Sequence, residues 1–88
     1  MSGKLGMNVG DVRKLGKSLK ADADELDRVV RDITRTLNKT YWEGKDAQRF
    51  RNEWQGAHTK ALKQVASALD TAGETARTNA EQQDQASN

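Results

Sequence analysis

The chain has 88 residues, of which 34% are hydrophobic and 32% are charged, and its formal net charge is +2. It contains no cysteine and no proline, and its single histidine is His58. These counts exclude a disulfide-stapled domain, a thiolate zinc site and the histidine cluster of a catalytic metal. Because proline breaks helices, its absence favours long helices. Eleven of the hydrophobic residues are alanine, so the core is thin and we expect a partner chain to add stability.

Several functional classes are disfavoured by the same sequence. No apolar run approaches the ~18 residues of a membrane span, and residues 1–10 lack the apolar segment of a secretory signal. Basic and acidic residues nearly balance, 15 against 13. The basic residues of segment 13–20 face Asp70 and Glu74 if the chain folds back on itself, so we expect a solvated helix face there and no nucleic-acid binding. The alanine-rich apolar stripe likewise disfavours stable membrane insertion.

The first predicted helix covers residues 11–37, after a glycine-containing lead-in at 1–10 that we expect to be flexible. Asn8 is a plausible N-cap, with Asp11 in the first turn. Gly16 and Ala23 lie on the apolar face and imply the close approach of a neighbouring helix. Larger apolar side chains recur on this face with the period of a helix: Val12, Leu15, Leu19, Leu26, Val29, Val30, Ile33 and Leu37.

The second predicted helix covers residues 45–79, after a turn at 38–44. The tail at 80–88 is polar, and we expect it to fray. The apolar stripe of this helix grades from aromatic residues near the turn to alanine at the far end: Ala47, Phe50, Trp54, Ala57, Ala61, Val65, Ala68, Leu69, Ala72 and Ala76.

The expected fold is an all-α helix-turn-helix hairpin, because a short connection makes neighbouring helices antiparallel. Both apolar stripes are wider than one helix contact requires. We therefore expect two hairpins to pack into an antiparallel four-helix bundle. The residues predicted for the hairpin or dimer interface are Leu15, Leu19, Leu26, Val30, Ile33, Leu37, Phe50, Trp54, Val65 and Leu69.

No catalytic arrangement is present, so we predict that the chain is not an enzyme and uses no cofactor. Ser18 and Asp22 lie one turn apart on a charged helix face, where a solvated surface pair is the simpler interpretation. His58 lies beside the apolar stripe. We interpret it as a boundary residue, with a metal-binding or pH-sensing role as the alternative.

The most specific signal is Trp42-Glu43-Gly44 at the predicted bend, followed by Phe50 and Trp54 on the second helix. Together with the chain length and the two helices, this motif resembles the WXG family, the small early-secreted-antigen-like proteins exported by type VII secretion systems. The resemblance covers nearly the whole chain. Taken by themselves, a glycine at a turn and a tryptophan at the end of a core would also explain the motif structurally.

The resemblance implies a homo- or heterodimer that leaves the cytoplasm folded, without a cleavable signal peptide, and acts outside the cell as an effector or co-secretion partner. The implied dimer partner is a second copy of the chain or a paralogous family protein with a Tyr-x-x-x-Asp tail. The secretion ATPase is a further implied partner. Here Ala80 occupies the tyrosine position and Asp84 the acidic one. The implied motif residues are therefore Trp42, Gly44 and Asp84. The alternative is a helper that binds the helical targeting domain of a larger type VII-secreted toxin.

Two further expectations concern the tryptophans. Trp42 should be partly exposed because it lies in the turn, whereas Trp54 should be buried on the inner face of the second helix. In an antiparallel dimer, the bend of one hairpin would lie beside the C-terminal tail of the other, which brings Trp42 and Gly44 near the partner's tail.

Overall fold

A computed structural model describes residues 6–87 of the chain, with the backbone alone at Ser87. Helix α1 spans Val9–Lys39, α2 spans Lys45–Glu53 and α3 spans Thr59–Ser87, with a π-helical turn at Trp54–His58 between α2 and α3. Residues 6–87 contain no strand. The predicted all-α helical hairpin is therefore confirmed.

Helix α1 begins at a side-chain cap. The Asn8 carboxamide oxygen accepts the backbone N–H of Asp11 at 2.9 Å, as the sequence predicted, and satisfies one of the free donors of the first turn. The helix ends where Thr40 turns extended, with φ −82° and ψ 124°. It is two residues longer at each end than the predicted 11–37. Of the predicted flexible lead-in, residues 1–5 lie outside the described part of the chain.

The bend between the helices depends on a glycine. Gly44 has φ 112° and ψ 179°, a backbone conformation that only glycine adopts at low cost. Its carbonyl accepts the N–H of Gln48 and so starts the hydrogen-bond ladder of α2. Gly44 therefore ends the bend and lets the second helix start in the reverse direction.

The second arm of the hairpin is one helical rod with a local irregularity. Glu53, Trp54 and Thr59, which flank or open the π turn, all keep right-handed helical backbone angles. The rod continues to Ser87, whereas the sequence predicted its end near residue 79 and a frayed tail. It continues because Ala80 is completely buried, so the helix still has an inner face to pack at this level.

The two arms approach each other closely at a pair of glycines. A Cβ atom built on Gly73 would lie 2.8 Å from the backbone oxygen of Gly16. Gly16 and Ala23 are both buried, which confirms the predicted close approach of a neighbouring helix. Larger buried side chains lie toward the bend, where Val30, Leu37 and Trp54 form the core of the hairpin and Leu62 packs against it.

The resulting molecule is a rod of 64 × 18 × 14 Å with a radius of gyration of 19.5 Å. A globular chain of this length would have a radius of gyration of about 12 Å. A rod two helices wide leaves one side of each helix without a tertiary neighbour. Within residues 6–87, no helix combines the length and the apolarity required to cross a membrane.

Candidate functional site

An uncovered row of apolar residues runs along α1 beside its buried row. The buried residues of α1, from Gly16 to Leu37, are spaced seven apart. Seven other positions are spaced alternately three and four residues apart, which is the pattern of a helix-packing seam. Leu15 is 54% exposed and Ile33 is 39% exposed, and the other apolar positions are half-buried, so the hairpin covers this seam only in part. We call these residues the α1 seam: Val12, Leu15, Leu19, Asp22, Leu26, Val29 and Ile33.

The π turn redirects the apolar stripe of the second arm. A π turn holds one more residue than the α-helical turn it replaces, and each residue adds about 100° of rotation around the helix. Ala57 and Ala61, which the sequence placed on the inner stripe, are exposed, whereas Ala66 and Gly73 are buried. Beyond Trp54, the buried row is therefore displaced from the predicted stripe, because the extra residue turns that stripe partly outward. Leu69 and Ala76 of the predicted stripe stay half-buried.

The outward stripe forms a second seam that matches the first. It begins at Leu62, which is half-buried, and Val65 is 49% exposed. Its positions again alternate in steps of three and four along α3. We call these residues the α3 seam: Leu62, Val65, Leu69, Ala72 and Ala76.

The two seams lie on the same side of the hairpin, because the charged residues that join the helices occupy the other side. Lys20 Nζ lies 3.3 Å from Asp70 Oδ1 and 3.4 Å from Glu74 Oε2. On each helix, these ion-pairing residues lie on the opposite side of the buried row from the seam. One side of the hairpin is thus charged and the other is apolar. We call the two seams together with Trp42 and Phe50 the apolar face.

The charged side contains an open groove, lined in part by Asp27, Arg31 and Lys63. Near its base, the Trp54 indole Nε1 donates a hydrogen bond of 2.9 Å to the Thr34 hydroxyl. This bond satisfies the one polar atom of a buried indole and fixes Trp54 between the helices. The groove mixes both signs of charge, so it does not select an ion of either sign.

The Trp-x-Gly bend presents its tryptophan in an ordered setting. Trp42 is 40% exposed, as expected, and its ring centroid lies 5.5 Å from that of Phe50. The Arg51 guanidinium donates to the carbonyl oxygens of Trp42, at 2.8 Å, and Thr40, at 3.2 Å. Trp54, by contrast, is only 8% exposed, which confirms the expected difference between the two tryptophans. The part played by Arg51 was missed in the sequence, where no local pattern links it to the bend.

The residues implied as the C-terminal motif lie at the opposite end of the hairpin from the bend. Asp84 Oδ2 is 3.2 Å from Arg13 Nη2, and Glu81 Oε1 is 3.4 Å from the same nitrogen. Ala80, in the tyrosine position of the motif, is completely buried. The structure therefore does not bring Asp84 together with Trp42 and Gly44 within one chain.

The predicted interface residues divide between the interior of the hairpin and its apolar face. Val30, Leu37 and Trp54 are buried inside the hairpin. The other seven lie on the apolar face, half-buried at Leu19, Leu26 and Leu69 and exposed at Leu15, Ile33, Phe50 and Val65.

Electrostatic effects concentrate on the charged side. A hydrogen bond from Arg77, together with the charges of Arg77 and Lys20, lowers the pKa of Glu74 to about 2. Hydrogen bonding to Asp70, followed by smaller contributions from Glu74, raises the pKa of Lys20. These are solvent-exposed ion pairs, and such pairs each add little to stability. They orient the two helices and keep this side charged.

Within residues 6–87, no cluster of three or more histidine, cysteine, aspartate or glutamate side chains could hold a metal ion. The His58 side chain is exposed, with Nε2 4.0 Å from Glu53 Oε2. Its ring centroid lies 6.5 Å from that of Trp54. His58 is thus the last residue of the π turn, and its side chain lies at the edge of the hairpin.

Comparison with known proteins finds no matching family model, no matching curated protein and no matching solved structure. The resemblance to the WXG family therefore stays a prediction from the residues Trp42, Glu43 and Gly44 and their position in the chain.

Proposed function

We propose that this chain is a small, non-enzymatic protein of the WXG type that a type VII secretion system exports as a folded dimer. Outside the cell, it acts as an effector or as the co-secretion partner of a related protein. The observation that carries the proposal is the apolar face, which runs along both helices and ends at the exposed Trp42 of the bend.

The apolar face supports the dimer. Among residues 6–86, the hairpin buries three large apolar side chains, Val30, Leu37 and Trp54. It leaves Leu15 and Val65 about half exposed. Soluble monomers rarely expose a long continuous apolar surface. Full burial of each large apolar side chain contributes about 1.5–3 kcal/mol. A second helical hairpin on this face would supply the core that the single chain lacks.

The bend supports the role in export. Tryptophan is enriched among residues that dominate binding at protein interfaces, and Trp42 is held in a partly exposed position by Arg51 and Phe50. In an antiparallel bundle, this bend lies beside the C-terminal end of the partner. A surface made of Trp42, Gly44 and the partner's tail is the element that we propose the secretion ATPase recognises. Because Ala80 stands at the tyrosine position, the partner supplies the tyrosine.

The proposal is tested with two tryptophan variants. Trp42→Ala removes a partly exposed ring and should lower the melting temperature less than Trp54→Ala, which deletes a buried indole at a cost of about 3–5 kcal/mol. Export should change in the opposite order, so that Trp42→Ala abolishes secretion although a folded dimer persists. The measurements are thermal unfolding of the purified complex and the fraction of the chain that reaches the culture medium. Normal secretion of folded Trp42→Ala protein would refute the export role of Trp42.

The second candidate function is a helper that binds a larger secreted toxin. The distribution of charged residues on α3 supports this candidate. Within residues 59–86, every charged residue of α3 lies on the charged side of the hairpin, from Lys60 to Asp84. The outer surface of α3 is consequently uncharged well beyond its seam, at positions such as Ala68, Thr71 and Thr75. A longer helical domain could cover this additional surface. Co-purification of the chain with a toxin's helical targeting domain, in preference to a small paralogue, would favour this function.

A further inference from the structure

A single charged residue interrupts the apolar face. Asp22, which the sequence placed with Ser18 on a charged helix face, occupies the fourth of the seven positions of the α1 seam, between Leu19 and Leu26. It is exposed in the hairpin. Its carboxylate has no hydrogen-bond or ion-pair partner among the described residues. A partner that covers the α1 seam must therefore also cover this carboxylate.

An antiparallel copy of the same chain places Asp22 against itself. When two identical helices pack antiparallel with their seams fully overlapped, the two-fold axis crosses the seam at its middle. The middle of the α1 seam is Asp22. Two carboxylates would then meet within an apolar interface, where like charges repel strongly and neither is compensated.

The other symmetric arrangement also leaves Asp22 without a counter-charge. If the two bends lie at the same end, α1 of one copy packs on α3 of the other, and the residues of the α3 seam are all uncharged. Arg28 is a cation on the outer surface of α1, but it already binds Glu25 and Asp32. Neither arrangement of a second copy therefore supplies a cation from its seam.

We infer that Asp22 is the residue that selects a non-identical helical partner, one that places a lysine or arginine of its own seam against this carboxylate. The inference rests on the proposed function and names the partner's chemistry. A single polar residue in an otherwise apolar seam lowers stability and in exchange restricts the pairings that are allowed. Asp22 acts in this way against self-association, and a complementary cation removes its effect.

Sedimentation equilibrium of the full-length chain tests the inference. Three variants change Asp22: Asp22→Leu completes the apolar seam, Asp22→Asn removes the charge at nearly the same size, and Asp22→Lys makes a surrogate partner. The matched controls are Asp24→Leu and Asp24→Lys, because Asp24 is an exposed residue lining the groove of the charged side. Circular dichroism verifies that each variant keeps its helical content.

We expect Asp22→Leu to dimerise at least about tenfold more tightly than the unchanged chain, with Asp22→Asn in between. An equimolar mixture of the unchanged chain and Asp22→Lys should associate at least about tenfold more tightly than either protein alone. The Asp24 variants should leave association unchanged in both experiments.

Two other outcomes would overturn the inference, and they differ in what they mean for the function. If the unchanged chain dimerises as tightly as Asp22→Leu, the occupant of the apolar face is a second copy; the inference falls, while the dimer of the proposed function remains. If neither Asp22→Leu nor the mixture associates, the apolar face is not an association surface, and the inference and the proposed dimer fail together.

Discussion

Replacing Gly73 with alanine tests the close approach of the two helices at Gly16 and Gly73. In a helix interior, alanine is more favourable than glycine by about 0.5–1 kcal/mol, so the change stabilises most helices. At Gly73, however, the new Cβ atom would lie 2.8 Å from the backbone oxygen of Gly16 and 2.8 Å from Lys20 Cγ. The lysine side chain can move, but the backbone oxygen cannot move without shifting α1.

The steric effect should exceed the gain in helix propensity. Overpacking of a tight contact costs about 1–3 kcal/mol, which leaves a net destabilisation of about 1 kcal/mol after the alanine gain is subtracted. Gly56→Ala is the matched control, because no atom lies within 4 Å of a Cβ atom built on Gly56. The same substitution should therefore stabilise the protein at Gly56 and destabilise it at Gly73.

The assay is thermal unfolding followed by circular dichroism, at one chain concentration for all variants because association raises the melting temperature. For a chain of this size, 1 kcal/mol corresponds to a shift of about 4–8 °C. Gly16→Ala, whose Cβ atom would lie 3.0 Å from the Gly73 oxygen, should shift the melting temperature in the same direction as Gly73→Ala. If Gly73→Ala raises the melting temperature as Gly56→Ala does, the helices do not approach this closely and the register of the hairpin is wrong.

Two further predictions concern the charged side and the π turn. The pKa of Glu74 is lowered from 4.5 to about 2 in the folded chain, so its contribution to stability is present above pH 4.5 and is lost as the pH falls toward 2. Glu74→Gln should flatten the fall in melting temperature between pH 4.5 and 2, and an unchanged pH profile would contradict the role of this ion pair. Deletion of Gly56 should convert the π turn to an α-helix and rotate α3 by about 100° relative to α2, so that Trp54 and Ala66 no longer share the inner face. The deletion should lower the melting temperature where Gly56→Ala raises it, and a stable deletion variant would contradict the role of the extra residue.

The parts of the fold that depend on local patterns could be predicted from the sequence. Three features of α1 depend only on neighbouring residues: the heptad spacing, the Asn8 cap and the small residues Gly16 and Ala23. The structure has all three as expected. The exposure of Trp42 followed from its place in the bend. These features need no knowledge of the distant parts of the chain.

The features that were missed depend on contacts between distant residues. The apolar stripe keeps its helical period from Ala57 to Ala72, so nothing in it signals the extra residue at the π turn. That turn is a compromise: Trp54 is fixed by its hydrogen bond to Thr34, while Gly73 must meet Gly16 further along. In an uninterrupted α-helix, the position that faces inward near Gly16 would be one residue away from Gly73. The extra residue of the π turn removes this difference. The residues after 79 are mostly polar, so the sequence did not indicate that the helix continues there.

The two hydrogen bonds from Arg51 to the bend affect when entropy is lost. Restricting a flexible backbone costs about 1–2 kcal/mol per residue, and a loose loop would incur that cost on meeting its receptor. Because Arg51 holds the carbonyl oxygens of Thr40 and Trp42, the bend incurs it when the hairpin folds. A preorganised loop keeps more of its contact energy as affinity. The strength with which any partner could bind Trp42 is thus set partly by an arginine that need not touch that partner.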